Sequence, residues 1–184
     1  MATYTPNFAQ APNLLLLGLI NNDNAKGYGP ADVDIQNLTV LAGDHESGKN
    51  TSVDIDLLIE PSEVVGDFVT FTFDRMDLAD VFADIIAGSK HNIREIEAID
   101  TDGQLVIADF ISEVSRKYGF AFNTADYDFS MPTANSILVA AKASNLAYIE
   151  DVTFVVDAAL RTRIATPSVA GFTQGDIDLD PSDD

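Results

Sequence analysis

The chain has no cysteine, no tryptophan and few bases: 10 Lys and Arg stand against 30 Asp and Glu in 184 residues, a formal net charge of −20. Without cysteine there are no disulfides, no thiol nucleophile and no cysteine-held zinc. Without tryptophan, and with five Tyr, the stacking platforms of a carbohydrate-binding adhesin are scarce. So acidic a surface repels the phosphates of DNA and RNA, and no direct nucleic-acid contact is expected. The largest adjacent group of bases is the pair Arg116–Lys117. Long apolar runs are also missing. Leu14 to Ile20, "LLLLGLI", is far too short to cross a bilayer. The first Lys is Lys26, so no basic leader stands before that run, and neither a targeting segment nor a membrane partner is expected.

What is present is a hydrophobic content of 46%, enough for a packed core. Strong charge of one sign keeps such a protein dispersed at high concentration, which suits a molecule made in many copies.

The motif nearest to chemistry is "LAGDHESGKNTSVDI", Leu41 to Ile55. Gly43, Gly48 and Lys49 match the opening of a phosphate-binding loop, with Asn50 in place of the final Ser/Thr. Such a loop needs a helix after it, whose N-terminal amides cradle the phosphates. Here the following residues alternate and are β-branched, so a strand is predicted. Asp44, His45 and Glu46 would add two carboxylates beside a triphosphate. The expectation is a polar loop between two strands, with Lys49 in solvent among acids. A small nucleotide-binding enzyme using Gly43–Lys49 is the reading from another class.

"AIDTDGQL" places Asp100, Asp102 and Gly103 at the third, fifth and sixth positions of a calcium loop. The first position is then Ala98 and the twelfth Asp109, so one ligand is missing and the last is a carbon short. An Asp-Gly turn capping the next helix is expected instead. His45 and His91 stand apart from any metal-ligand spacing, and Asp54 and Asp56 are a carboxylate pair of the kind that 30 acids produce by chance. Asp176, Asp178 and Asp180 alternate in an acidic tail. No catalytic residue, cofactor site or metal site is assigned.

Periodicity predicts an N-terminal arm over residues 1–13, then a helix from Leu14 capped by Asn13. Strands are expected in "VDIQNLTVLA", "TSVDIDLLIE", "FVTFTFDR", "SILVAAKA" and "EDVTFVVDA". Asp77 should cap a helix from Leu78 to Ala87, stopped by Gly88. A second helix in "QLVIADFISEVSRKYG" is expected to start after Asp102 and to end at Gly119. Its apolar stripe is read from Leu105, Ala108, Ile111, Ser112 and Ser115, broadened by Val106, Phe110 and Val114.

The halves resemble each other. "GYG" at Gly27 answers "GFA" at Gly119, "ADVDI" at Ala31 answers "ADYDF" at Ala125, "NTSV" at Asn50 answers "NSIL" at Asn135, and Val69-Thr70-Phe71 answers Val152-Thr153-Phe154. These offsets run 92, 94, 85 and 83. The predicted fold is therefore α+β: two similar small modules, each a helix on a mostly antiparallel sheet, at 14–88 and 89–166. The arm precedes them and the acidic tail, 167–184, follows.

The first half also resembles a module in structural proteins of large tailed bacteriophages. The residues concerned are Ile20-Asn21, Asp23-Asn24, Ala31-Asp32-Val33, Asn50-Thr51-Val53 and Phe73-Arg75-Asp77-Leu78, over about 70 residues. The second half lacks the "R-x-D-L" ending, since Ala158 and Ala159 follow Asp157. The resemblance implies a non-enzymatic virion protein, capsid-decorating or head-associated, with a tail tube or tail-attached protein as the alternative. Its partners would be other capsid or tail subunits and copies of itself, the arm and tail being the natural contacts.

Overall fold

The computed structural model describes residues 4–58, 68–88, 103–134 and 136–155, excluding the side chains of 85–88. Those residues form a mixed α+β fold of three helices and eight strands. Predictions for the stretch 89–102, with His91, Asp100 and Asp102, and for the acidic tail fall outside the described residues.

Helix α1, Pro12–Asn24, begins two residues before the expected Leu14. A proline in the first turn loses nothing, because its N–H would have no partner there. Ala11 is the N-cap and makes no side-chain bond, so Asn13 is not the cap. Ala25 closes the helix in the left-handed region at φ 51. Leucines surround this helix, and it is correspondingly sandwiched between two apolar clusters. Leu15 enters the larger cluster, and Leu16, Leu17 and Ile20 the smaller.

Strands β1 (Val33–Val40), β2 (Thr51–Leu57) and β3 (Val69–Phe73) make one antiparallel sheet in that order. Val33, Ile35, Val53, Ile55, Phe71 and Phe73 share its inner face, as period-two alternation requires. A bulge interrupts β1 between Gln36 and Thr39. Asn37 sits there at φ 51, a conformation Asn tolerates better than most residues.

β4 (Met76–Asp77) leads straight into α2 (Leu78–Gly88), whose first free amide, on Ala79, donates to Asp77 Oδ1 at 2.7 Å. That cap is the one the sequence predicts. Helix α3, Ile107–Tyr118, starts later than expected, with Val106 at the N-cap and no side-chain bond. Its buried stripe is Phe110, Val114 and Tyr118, while Ala108, Ser112 and Ser115 are exposed. Phe110 and Val114, expected only to broaden the stripe, are thus its centre, and Ala108, Ser112 and Ser115 fall outside it. Phe110 and Val114 bring far more apolar area than alanine or serine, and the helix turns to bury them.

β5 (Tyr127–Thr133), β6 (Ser136–Ala141) and β8 (Asp151–Val155) form a second antiparallel sheet, bulged between Ser130 and Thr133. β7 (Tyr148–Ile149) pairs in parallel with β4, joining the two ends of the fold. Inside, Phe82 of α2 lies 4.8 Å from Phe120, 5.5 Å from Phe122 and 5.0 Å from Phe154, centroid to centroid. These tilted, stacked and edge-on contacts add to the area term.

Tyr127 and Tyr148 bury their hydroxyls here without a hydrogen-bond partner. Burial pushes both phenols well above their usual pKa; the Asn145 amide opposes the rise at Tyr127 without completing a bond. Folded values above the unfolded one leave stability intact below about pH 10 and remove it as pH climbs, because only the unfolded chain releases those protons. One unit above the unfolded pKa the two phenols together cost about 3 kcal/mol. Chemical denaturation at about pH 9 and about pH 11 should show that loss, with phenolate absorbance for these tyrosines rising only as the chain unfolds.

Candidate functional site

Asn21, Asp32, Asn50, Thr51 and Arg75 converge on structural tasks. Asn21 donates from Nδ2 to the Tyr28 carbonyl at 2.8 Å and accepts the Tyr28 N–H at 2.9 Å, folding the chain back after α1. Asp32 Oδ2 accepts the Gly29 N–H at 2.7 Å and closes the turn into β1. Asn50 makes reciprocal bonds with the backbone of Arg75, accepting its N–H at 2.8 Å and donating to its carbonyl at 3.0 Å. The Thr51 hydroxyl donates to Asn50 Oδ1 and accepts from Arg75 Nε at 2.9 Å.

Arg75 is the centre of this junction. Its side chain is buried, yet no carboxylate pairs with it among the described residues. Nη1 donates across the molecule to the Asn145 carbonyl at 3.0 Å and the Ala143 carbonyl at 3.4 Å. Burial draws the guanidinium pKa below its ordinary value. The neighbouring Met76 N–H donates to Ala147 O at 2.9 Å. Asn145, itself buried, shapes the receiving loop by accepting the N–H groups of Ala147 and Tyr148. Its Nδ2 donates to the Asp126 carbonyl at 3.2 Å, and no sequence motif marks Asn145 for this role.

The Gly43–Lys49 loop joins β1 to β2, two antiparallel strands, and a strand follows it. No helix N-terminus is there to hold a phosphate. Lys49 is paired as well as solvated: Nζ lies 2.8 Å from Asp74 Oδ2. The Lys49 bond holds the Asp74 carboxyl below its usual range, helped by the Asn50 N–H. Both side chains are about half exposed, so the pair adds little stability. Of the calcium-like residues, Gly103 and Asp109 are described and Asp109 lies in the first turn of α3. Asp54 and Asp56 are both on the outer face of the first sheet, opposite Gln36 and Asp34. Among the described residues no group of three acids or histidines is placed to hold a metal, and no helix is long and apolar enough to cross a membrane.

Beside the junction lies an apolar depression of about 400 Å³, lined by Leu16, Leu19, Phe73 and Leu146 with the carboxylates of Asp23 and Asp74. A family model matches residues 6–178. The chain belongs to DUF7941, a family of unknown function. No curated protein and no solved structure matches it. The DUF7941 match takes in the arm from residue 6, both sheets and the residues just after β8, so the junction is internal to the family's domain.

The arm of this DUF7941 chain is held at two points. The Phe8 carbonyl accepts the Ala121 N–H, and the Tyr4 hydroxyl donates to the Leu15 carbonyl at 3.1 Å. A Cβ at Gly18 would lie 2.5 Å from the Tyr4 hydroxyl oxygen. Gly18→Ala should therefore expel Tyr4 while gaining about 1 kcal/mol of helix propensity. Net stability should stay within about 0.5 kcal/mol, and chymotrypsin should cut after Phe8 faster than in the parent. An unchanged digestion rate would count against the notch.

Proposed function

We propose that the chain is a non-enzymatic structural component of a bacteriophage particle, present in many copies and head-associated, with capsid subunits and its own copies as partners. One observation carries the reading. The residues that carry the resemblance to the phage module — Asn21, Asp32, Asn50, Thr51, Arg75 and Asp77 — hold turns, a helix cap and the junction together. The likeness is thus one of scaffold, which is what a virion subunit is selected for. The acidic surface is consistent with dispersal before assembly.

The two-module expectation belongs to the same reading. We infer that residues 12–73 and 107–155 descend from one duplicated unit. Support comes from registers rather than letters. Val33 to Thr39 of β1 and Tyr127 to Thr133 of β5 lie 94 residues apart, and both bulges fall at the same step. β2 and β6 correspond at 84, β3 and β8 at 83. The backbone bond from Leu58 N to Asp32 O has its counterpart from Lys142 N to Asp126 O. On this alignment Gly119 answers Ala25, both left-handed caps, and not Gly27; Asn135 answers Thr51 and not Asn50.

Gold-labelled antibody against the chain, imaged on intact particles by electron microscopy, tests the assignment. Regular labelling of heads is expected. Label confined to tails, or six-fold rings of purified protein that stack, would move the chain to the tail, and absence from particles would end the virion reading.

A further inference from the structure

The two sheets are covered unequally. On the second sheet Val152 is 7% exposed and Phe154 is 0%, because α2 packs against β8 and sets Phe82 on Phe154. At the corresponding points of the first sheet Val69 is 53% exposed and Phe71 is partly exposed. Leu57, on the same inner face, is 40% exposed. α1 reaches Phe73 and part of Phe71 at one end of β3, but among the described residues nothing covers its Val69 end as α2 covers β8.

We infer that this bare face of β3 is the docking site of the segment following β8, residues 156–166 of the same chain. α2 follows β3 after four residues, 74–77, and covers the other sheet. At the same offset of 83, the stretch after β8 has an equal connection in hand before Arg161. That stretch reads "VDAALRTRIAT": Leu160 and Ile164 are spaced four apart, Ile164 corresponds to the buried Val81, and Pro167 ends the run. Arg161 and Arg163 against the single acid Asp157 make it net positive in a chain of −20. Attraction to the rest of the molecule follows. The family match also runs past Val155 to residue 178, so the segment belongs to the shared domain. The geometry resembles an exchange: each strand β3 and β8 sends its following segment onto the other sheet, burying apolar area that each half alone leaves wet.

The inference rests on the duplication and not on a place in a particle, so it is tested on the isolated full-length protein. The absence of cysteine gives a clean background. Phe71→Cys with Ala165→Cys should form an intramolecular disulfide on mild oxidation, at least about fivefold faster than a control pair of Val40→Cys, 70% exposed, with Ala165→Cys. Peptide mapping by mass spectrometry identifies the link. Hydrogen exchange on the parent should show the amides of 157–166 slowed about tenfold or more over a free peptide, and Phe71→Asp should abolish that slowing. Equal crosslinking rates, a link only between two chains, or free-peptide exchange would each overturn the inference. Failure of the two halves to superpose in an experimental structure would remove the duplication separately.

Discussion

Phe82→Ala should destabilise the protein by about 3–5 kcal/mol, the cost of emptying a fully enclosed aromatic site. Phe82 is 1% exposed and its ring touches those of Tyr118, Phe120, Phe122 and Phe154. It is also the point where α2 is tied to the second sheet. Its neighbours come from α3, from the connection into β5 and from β8, and they cannot all collapse into one gap. Ordinary domains hold about 5–15 kcal/mol in total, so the loss is a large share. Urea denaturation should show the midpoint falling sharply. Phe68→Ala, at a ring 58% exposed, should change stability by less than about 0.5 kcal/mol and serves as the comparison. A small effect at Phe82 would mean that α2 does not seat there.

Arg75→Ala is expected to cost a similar amount, about 3–4 kcal/mol, for a different reason. Removing the guanidinium leaves the buried Asn145 carbonyl and Thr51 hydroxyl short of a donor, while the exposed Ala143 carbonyl can turn to water. Arg75→Lys should recover less than half. An ammonium on a flexible stem cannot span Thr51 and Asn145 in the fixed fork that a guanidinium provides. A double-mutant cycle with Thr51→Val should give a coupling of about 1 kcal/mol or more, since the two groups share one hydrogen bond. Additive losses would show that Arg75 acts through bulk alone. Because the bond to Asn145 crosses from one sheet to the other, Arg75→Ala should also broaden the unfolding transition as the two parts begin to melt separately.

Much of the fold was legible in the chain. The alternation in "TSVDIDL" and "VTFTF" is the signal of a half-buried strand, and β2 and β3 follow it. Asp77 announced the start of α2 because capping is a local matter. Where the reading slipped, tertiary burial outweighed local pattern. The pattern sets Phe110 and Val114 at the margin of the α3 stripe and Ala108, Ser112 and Ser115 within it, but the surroundings reward the side chains with the most area, and Phe110 and Val114 form its centre. Ala11 and Val106 stand at helix starts where a polar cap was expected, since packing carries those helices. β5 was not drawn as a strand; Pro132 reads as a strand breaker, yet it lies in the bulge, where no ladder bond is asked of it. The junction was the least legible part. Arg75 and Asn145 are 70 residues apart, and neither residue's immediate neighbours indicate that the other exists.

The parallel pairing of Met76 with Tyr148 bears on how the protein is made. Ribosomes add about 5–20 residues per second, so on the order of 4–14 s separate synthesis of one partner from that of the other. During that interval the nascent N-terminal half holds a guanidinium with no carbonyls to receive it and a two-residue ribbon with nothing to pair against. Closure is thus postponed until Tyr148 and its neighbours have emerged, and translation products that stop before them should be left for proteases instead of persisting as half-built bodies.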